Sequence, residues 1–212
     1  MSSEELITRL VAELPASRRQ WPVSRLLGAA IALGSAVTFS VIWFMFTRSP
    51  HLAHGVSTTI AFTVVAALTL AAGTYRASLT LSRPEAEANI TWPVLLAGLI
   101  LITGVALELG STPPHFWVSR LIGTHALGCF ISVTLLALPI LFAALFAIRH
   151  GAAARPTQAG VAAGLLAGSI TGALYEIHCP ENSLLFVAVW HVAAIVVLAG
   201  LGSYLGRRLL YW

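Results

Sequence analysis

The sequence predicts an all-α, polytopic membrane protein: a six-transmembrane-helix bundle with a short cytoplasmic amphipathic helix at the N-terminus. The first observation is composition. Of 212 residues, 58% are hydrophobic and 9% are charged, and the mean hydropathy is +0.86. Soluble domains carry about 25% charged residues, so a soluble fold is excluded. The second observation is the length of the apolar runs, since a helix needs about 20 apolar residues to cross roughly 30 Å of hydrocarbon.

Six apolar runs reach or nearly reach that length. We place them near 26–46, 56–75, 92–109, 122–147, 158–177 and 184–205. The third run begins at Trp92 and Pro93, and proline suits the first turn of a helix. The fourth contains Pro139, which predicts either a kink or rescue by neighbouring helices. The chain therefore divides into a tail, residues 1–25, and a six-helix sensor domain, residues 26–212.

The arginines predict the orientation of the bundle. All twelve basic residues are arginine, and ten of them lie in the two tails and in the second and fourth loops. Only Arg48 and Arg120 lie in the alternate loops. Because basic segments stay in the cytoplasm, we expect both termini to be cytoplasmic and the first, third and fifth loops to face outward. In a bacterium this describes the inner membrane. The net charge of +4 is then explained by topology, and no nucleic acid is expected as a partner.

The N-terminal tail predicts an amphipathic helix. Ser2 and Glu5 have the spacing of a capping box, and Pro15 ends the run. Apolar residues recur on one face: Leu6, Ile7, Leu10, Val11 and Leu14. A helix of about 12 residues is marginal alone in water, so this face needs something to cover it. A groove on a soluble protein and the membrane surface both fit, and the acidic first turn favours a protein with a basic rim.

Both cysteines fall on the outward side of this topology. Cys129 lies about two turns inside the fourth helix, and Cys179 lies in the fifth loop. His125 precedes Cys129 by four residues, which predicts that they share one helix face. Further histidines and glutamates fall in the same outer half of the topology: His51, His54, His115, His178, His191, Glu108, Glu176 and Glu181.

Two interpretations fit this thiol face. In one, Cys129 and Cys179 form a reversible disulfide or, with His125, His178 or His191, transiently bind a soft metal ion. Thiolate and imidazole are ligands that zinc, cadmium and copper prefer, and an outward pair would meet oxidising conditions. In the other, Cys129 is a small core hydrophobe and the remaining residues are ordinary interfacial groups. No CxxC motif is present to decide between them, and no resident cofactor is predicted.

Glycines in the fifth helix predict close helix packing. They recur every four residues, at Gly160, Gly164, Gly168 and Gly172. Small residues at this spacing let helix backbones approach closely within lipid. We expect the stripe to pack the bundle, and a homo-oligomer formed along it is a further possibility.

Several segments together resemble one family. They are 123–129, 178–182, Phe186, 190–191 and 206–208. With the six spans and the short amphipathic tail, they make the whole chain resemble the NrsF-type membrane anti-sigma factors, negative regulators of sigma F. The resemblance implies that the tail, through its apolar face, holds an extracytoplasmic-function sigma factor inactive at the membrane. It also implies that Cys129 and Cys179 are needed for the response to metal or oxidative stress.

Other classes of function have less support. A membrane thiol oxidoreductase working with quinone would need a second cysteine pair to relay electrons, and the chain has none. A small metal transporter would need ionisable residues at mid-membrane in several spans, which are lacking. A haem protein using His125 and His191 is a weaker alternative. Since no HExxH, P-loop or nucleophile elbow occurs, we do not expect an enzyme.

Overall fold

The computed structural model describes residues 4, 5, 7, 8, 11, 22–46, 58–84, 87–179, 181 and 183–210. Every element assigned within them is helical. The elements are α1 (Val23–Phe46), α2 (Thr58–Leu81), α3 (Thr91–Ser111), the short α4 (Trp117–Ile122), α5 (Ala126–Arg149), α6 (Pro156–Glu176) and α7 (Leu184–Leu209). All of these except α4 are long and apolar enough to cross a membrane. The all-α prediction is therefore confirmed for the described residues.

Some helices extend beyond the apolar runs that predicted them. α2 continues to Leu81 instead of ending near residue 75, so Arg76, which we placed in the second loop, is an exposed helical residue. An apolar run marks the part of a helix suited to hydrocarbon, whereas the hydrogen-bonded turns continue into the polar interface. α5 begins at Ala126 instead of residue 122, because Gly123 ends α4 with a φ of 60°.

α6 lies at the centre of the bundle and packs against α7, α2 and α5. Thirteen of its 21 residues are buried. α3 is peripheral: Ala97 and Gly104 are its buried residues, and it packs mainly on α2. The last turn of α6, which carries Tyr175 and Glu176, is therefore held inside the protein, close to where the chain reaches Cys179.

The glycine face of α6 packs mostly within the chain. A methyl group added at Gly160 or Gly164 would collide with the backbone of α7, and one at Gly168 would press against α7 side chains. Gly172 differs, because an added methyl group there would meet no described atom within 4 Å. Three of the four predicted packing glycines therefore hold α6 against α7, while the fourth borders open space.

α5 continues through Pro139, and α1 supports it at that point. Proline removes one backbone donor from a helix and displaces the carbonyls of the preceding turn. The Thr38 hydroxyl of α1 donates to the Leu136 carbonyl at 2.9 Å. Gly34 of α1 lets the two helices approach closely at Ile140. A neighbouring helix thus provides the rescue expected for a proline inside a span.

Candidate functional site

Cys129 and Cys179 lie side by side in the interior. Their Sγ atoms are 3.7 Å apart, and the two residues are 1% and 8% exposed. Cys129 is in the first turn of α5, and Cys179 follows α6 by three residues. Both are free thiols. At this separation they share an S–H···S contact, and a disulfide would require the sulfurs to close to about 2.05 Å.

Two aromatic residues enclose the thiols. The Tyr175 hydroxyl donates to Cys129 Sγ at 3.7 Å, and Phe186 is fully buried in the same cluster. The buried members of the cluster are Ile42, Cys129, Val133, Tyr175, Cys179, Phe186 and Ala194. They come from α1, α5, α6, α7 and the loop between α6 and α7. The thiol pair therefore lies in a cluster to which four long helices contribute.

The environment of Cys179 favours its thiol form. Its hydrogen bond with Cys129 and, next, its burial raise the pKa of the Cys179 thiol. The thiolate is the reactive form of cysteine. The Cys179 thiol is therefore held in its protonated, less reactive form.

Glu181 fastens the loop that carries Cys179 to the beginning of α5. Its Oε1 accepts hydrogen bonds from the Thr124 backbone N–H at 2.7 Å and from the Thr124 hydroxyl at 2.5 Å. The His125 Nδ1 lies 3.7 Å from the same oxygen. Burial raises the pKa of Glu181, but the hydrogen bonds from Thr124 and His125 outweigh it and leave the pKa below its ordinary value. The ionised carboxylate is thus the form that holds the loop.

Gly123 permits this close approach. Its φ of 60° lies in a region that side chains rarely adopt. A Cβ at this position would lie 2.7 Å from the Phe186 ring and 3.1 Å from the Glu181 carboxyl carbon. Both the backbone conformation and the available space therefore require glycine where α4 turns into α5.

Glu108, at the end of α3, fastens the other end of the loop. Its Oε2 accepts from the backbone N–H groups of Leu184 and Leu185 at 2.6 and 3.2 Å. Its Oε1 accepts from the Ser183 hydroxyl at 2.8 Å and from Arg120 at 2.9 Å. A carboxylate at this position satisfies the free N–H groups that begin a helix. Glu108 therefore caps α7 from a different part of the chain.

The predicted histidines occupy different surroundings. His125 precedes α5, and its ring faces Thr124 and Glu181 and is 64% exposed, whereas Cys129 points inward. The expectation that His125 and Cys129 share a helix face is wrong, because His125 lies at the N-cap position, with non-helical backbone angles, and its side chain makes no hydrogen bond to the helix. His178 is buried beside Cys179 in sequence, and its N–H donates to the Tyr175 carbonyl.

His191 lies deeper, at the end of a π-helical segment of α7, Val187–His191. It is 2% exposed, and its Nδ1 is 3.6 Å from Oε2 of the buried Glu176. Such π segments occur frequently at functional sites. Within the part of the chain that the structure describes, no group of three or more His, Cys, Asp or Glu residues is arranged to hold a metal ion.

Several contributors to the site were not predicted from sequence. Tyr175 precedes Cys179 by four residues, and this helical spacing is a signal that could have indicated a role. Thr124 carries no comparable signal, because its partner lies 57 residues away in the chain. Glu108 is among the outward ionisable residues of the sequence, but its contact with Ser183, 75 residues away, was not predicted. Their roles depend on which loops meet in three dimensions.

The tail is described at five positions, all helical: Glu4, Glu5, Ile7, Thr8 and Val11. The Thr8 hydroxyl donates to the Glu4 carbonyl at 2.8 Å. Ile7 and Val11, one turn apart, are 58% and 62% exposed. The other predicted contact residues, Leu6, Leu10 and Leu14, lie outside the described residues. The described part of the apolar face is therefore uncovered.

Comparison with known proteins assigns the chain to a class of regulatory proteins. The profile of the family described as NrsF, negative regulator of sigma F, matches residues 10–212. The chain belongs to this family, which confirms the resemblance drawn from its motifs.

Two curated relatives align with the chain over the full length of both proteins. The anti-sigma-F factor NrsF of Caulobacter vibrioides (strain NA1000 / CB15N) is 30% identical over 216 residues. The probable anti-sigma-F factor NrsF of Azospira oryzae (strain ATCC BAA-33 / DSM 13638 / PS) is 29% identical over 221 residues. No solved structure matches the chain.

Proposed function

We propose that the protein is a membrane-embedded anti-sigma factor, not an enzyme. Its N-terminal tail holds an extracytoplasmic-function sigma factor inactive and releases it when Cys129 and Cys179 are modified. Membership of the NrsF family supports the regulatory role. The observation that carries the thiol trigger is the 3.7 Å contact between the two buried Sγ atoms.

The bundle lies in the bacterial inner membrane with both termini in the cytoplasm. Large apolar side chains are exposed around it, including Phe44 at 80% and Ile102 at 67%. Contiguous apolar surface of this kind is suited to lipid. The asymmetry of the arginines orients the bundle, so the thiol pair lies toward the periplasm and the tail lies on the opposite side.

The tail binds the sigma factor through its apolar face. Ile7 and Val11 are the described members of that face, and both are exposed. An amphipathic helix of this length gains stability by laying its apolar face into a groove of a partner. Glu4 and Glu5 would meet a basic rim on that groove.

Two chemistries could modify the thiols. With an oxidant of the peroxide class, the Cys129 thiol is oxidised to a sulfenic acid and one water leaves. The Cys179 thiol then condenses with it, so that an S–S bond forms and a second water leaves. With a soft metal ion such as Cd²⁺, both sulfurs bind the metal and their two protons pass to solvent.

Either modification moves the loop between α6 and α7. Glu181 and Glu108 attach that loop to the ends of α5, α4 and α3. Gly160, Gly164 and Gly168 join α6 to α7 over the rest of the helix, so a shift of the loop has a path toward the opposite end of the bundle. Moving the sigma factor from almost fully bound to almost fully free needs about 5.5 kcal/mol of differential affinity.

Co-purification from the native host tests the tail. Full-length tagged protein, a form lacking residues 2–20, Val11→Asp and the control Thr8→Asp are solubilised, and retained proteins are identified by mass spectrometry. We expect a sigma factor with the full-length protein and with Thr8→Asp, and its loss from the other two. Equal retention by the truncated form would reject the tail as the binding element.

The trigger is tested on the same complex. Peroxide or Cd²⁺ is added to immobilised wild-type protein and to Cys129→Ser, and the released sigma factor is measured. We expect release from wild type and retention by Cys129→Ser, and the effective reagent distinguishes oxidation from metal binding. Normal release from Cys129→Ser would exclude the thiol pair as the trigger.

A further inference from the structure

α4 is a short helix that joins two membrane-spanning helices. It runs over Trp117–Ile122, between the end of α3 at Ser111 and the beginning of α5 at Ala126. A helix of this length covers roughly 9 Å, far less than the roughly 30 Å of hydrocarbon in a bilayer. Because both neighbours are long and apolar enough to cross a membrane, α4 in a bilayer lies where those two helices leave it, at the level of the lipid head groups.

The side chains of α4 divide into an apolar face and a polar face. At 3.6 residues per turn, the apolar residues fall within an arc of about 140°, and the polar residues fall on the other side. The apolar face of α4 consists of Trp117, Val118, Leu121 and Ile122. The polar face consists of Ser119 and Arg120. This division is typical of a helix that lies at a boundary between water and an apolar phase.

The apolar face is turned away from the protein. Val118 and Ile122 are 67% and 52% exposed, and the other two members of the face are exposed as well. Arg120 of the polar face instead pairs with the protein, at the Glu108 carboxylate, 2.9 Å away. A short helix on a water-soluble surface would bury its apolar face and leave its charge in water. The reverse arrangement indicates that an apolar phase covers this face.

The exposed apolar surface of the neighbouring helices reaches the same level. Leu107, one turn before the end of α3, and Leu127, at the beginning of α5, are exposed apolar side chains. The surface that faces lipid on α3 and α5 therefore continues through α4. Tryptophan is enriched at the boundary between head groups and acyl chains, and Trp117 keeps its ring N–H paired with the Thr112 carbonyl at 2.9 Å. Lipid is thus the occupant that this continuity favours.

α4 is also attached to the segment that carries the thiols. Its Leu121 carbonyl accepts a hydrogen bond from the Trp190 ring N–H of α7 at 3.1 Å. Its Arg120 pairs with Glu108, which accepts hydrogen bonds from the first backbone N–H groups of α7. The helix packs directly on the beginning of α7. α4 therefore connects the surrounding lipid with the loop between α6 and α7.

We propose that α4 binds the adjacent lipid leaflet through its apolar face, and that this binding holds the loop between α6 and α7 in place. The occupant of the face is the boundary between phospholipid head groups and acyl chains. The proposal rests on the membrane location of the bundle in the proposed function, but not on the sigma factor or on the chemistry of the thiols. Withdrawal of α4 from lipid loosens its two attachments to α7 and opens Cys179 to water.

Electron paramagnetic resonance tests the binding. A nitroxide is attached through p-acetylphenylalanine in place of Val118, so that both native thiols stay unmodified. Matched proteins carry the label in place of Ser119, of Ile102 in α3 or of the exposed Glu87. Full-length protein is placed in phosphatidylcholine nanodiscs, and collisions are measured with oxygen, which is enriched in lipid, and with a nickel chelate, which stays in water. We expect more oxygen than nickel access at Val118 and Ile102, and the reverse at Ser119 and Glu87.

The other patterns of access overturn the proposal in distinguishable ways. Nickel access above oxygen access at Val118 would place the apolar face in water. Low access to both reagents at Val118 would place the face against protein, such as a second copy of this chain. High nickel access at Ile102 as well would reject the membrane location itself, so failure of that premise is separated from failure of the proposal.

Thiol labelling tests the connection to the loop. Val118→Asp places a charge on the apolar face, and Ser119→Asp, the matched control, places the same charge on the polar face of the same helix. The rate at which a water-soluble maleimide labels Cys179 in nanodiscs is followed by mass spectrometry. We expect labelling about tenfold faster in Val118→Asp, because one large apolar side chain no longer lies in lipid, and an unchanged rate in Ser119→Asp.

A milder variant keeps this experiment decisive. If Val118→Asp does not fold, Val118→Ser removes apolar surface without adding a charge, and we expect a smaller increase in the same direction. A rate equal to that of wild type in the folded variant would show that α4 does not hold the loop. Equal acceleration by Ser119→Asp would show that the effect comes from a charge near the thiols and not from the loss of lipid contact.

Discussion

The Glu181 side chain helps to fix the position of the loop that carries Cys179. Glu181 follows Cys179 by two residues and accepts two hydrogen bonds from Thr124, just before the helix that carries Cys129. The distance between the sulfurs therefore depends on a carboxylate outside the thiol cluster. Sequence reasoning placed Glu181 among the sensing residues, but it did not identify Thr124 as the partner.

The pH dependence of stability should report this contact. The folded-state pKa of Glu181 is below its ordinary value, so the ionised form favours the folded protein. This contribution is complete above the unfolded pKa and is lost as the pH falls through the folded pKa. We expect Glu181→Gln to melt below wild type at pH 6 and to lose less stability than wild type on acidification to about pH 3.5. Thermal unfolding in detergent measures both.

Glu87→Gln is the control for this experiment. Glu87 is 75% exposed and pairs with Arg155 at the surface, where an ion pair contributes little. We expect its melting temperature to follow that of wild type across the same pH range. Parallel curves for Glu181→Gln and wild type would mean that Glu181 does not hold the loop through its charge.

At the scale of elements, α6 and α7 make the most extensive contact between any two described helices. A pattern of four glycines predicted close packing, and three of them pack as expected. The pattern did not separate Gly172 from the others, because spacing defines a helix face but not where the neighbouring helix leaves it. Three glycines of the motif therefore form the packing surface against α7, and Gly172 lines a cleft.

Alanine substitutions should expose this difference. In Gly160→Ala the added methyl group collides with the Gly202 carbonyl, and backbone cannot move aside as easily as a side chain. Overpacking of this kind costs about 1–3 kcal/mol, so we expect a clear loss of thermal stability. Gly172→Ala, on the same helix, should unfold within a few degrees of wild type. Equal losses in both variants would contradict the described contact between α6 and α7.

At the scale of the whole molecule, the distribution of arginine predicts a topology that fusions can test. Alkaline phosphatase folds with disulfides and is active only in an oxidising compartment. Fused after Thr112, between α3 and α4, we expect it to be active. Fused after Ala152, between α5 and α6, we expect it to be inactive, with a cytoplasmic reporter such as β-galactosidase showing the reverse. The opposite pattern would place the thiols toward the cytoplasm and remove the periplasmic signal from the proposed function.

The sequence by itself determined the helices, their approximate bounds and the family. Apolar run length, arginine distribution and glycine spacing are local properties of the chain, and lipid makes them stringent because backbone groups there must be paired within each helix. The amphipathic tail is local in the same sense. Its apolar face is visible from residue spacing, although its partner is not.

Tertiary structure decided which distant residues meet. Cys129 and Cys179 are 50 residues apart in the chain, Glu108 and Leu184 are 76 apart, and the cleft is lined from four helices. No periodicity encodes these contacts. Within lipid, helices select neighbours through close packing of small residues and matched polar groups instead of hydrophobic burial. The thiol pair, the caps on its loop and the cleft therefore exist only once that packing is complete.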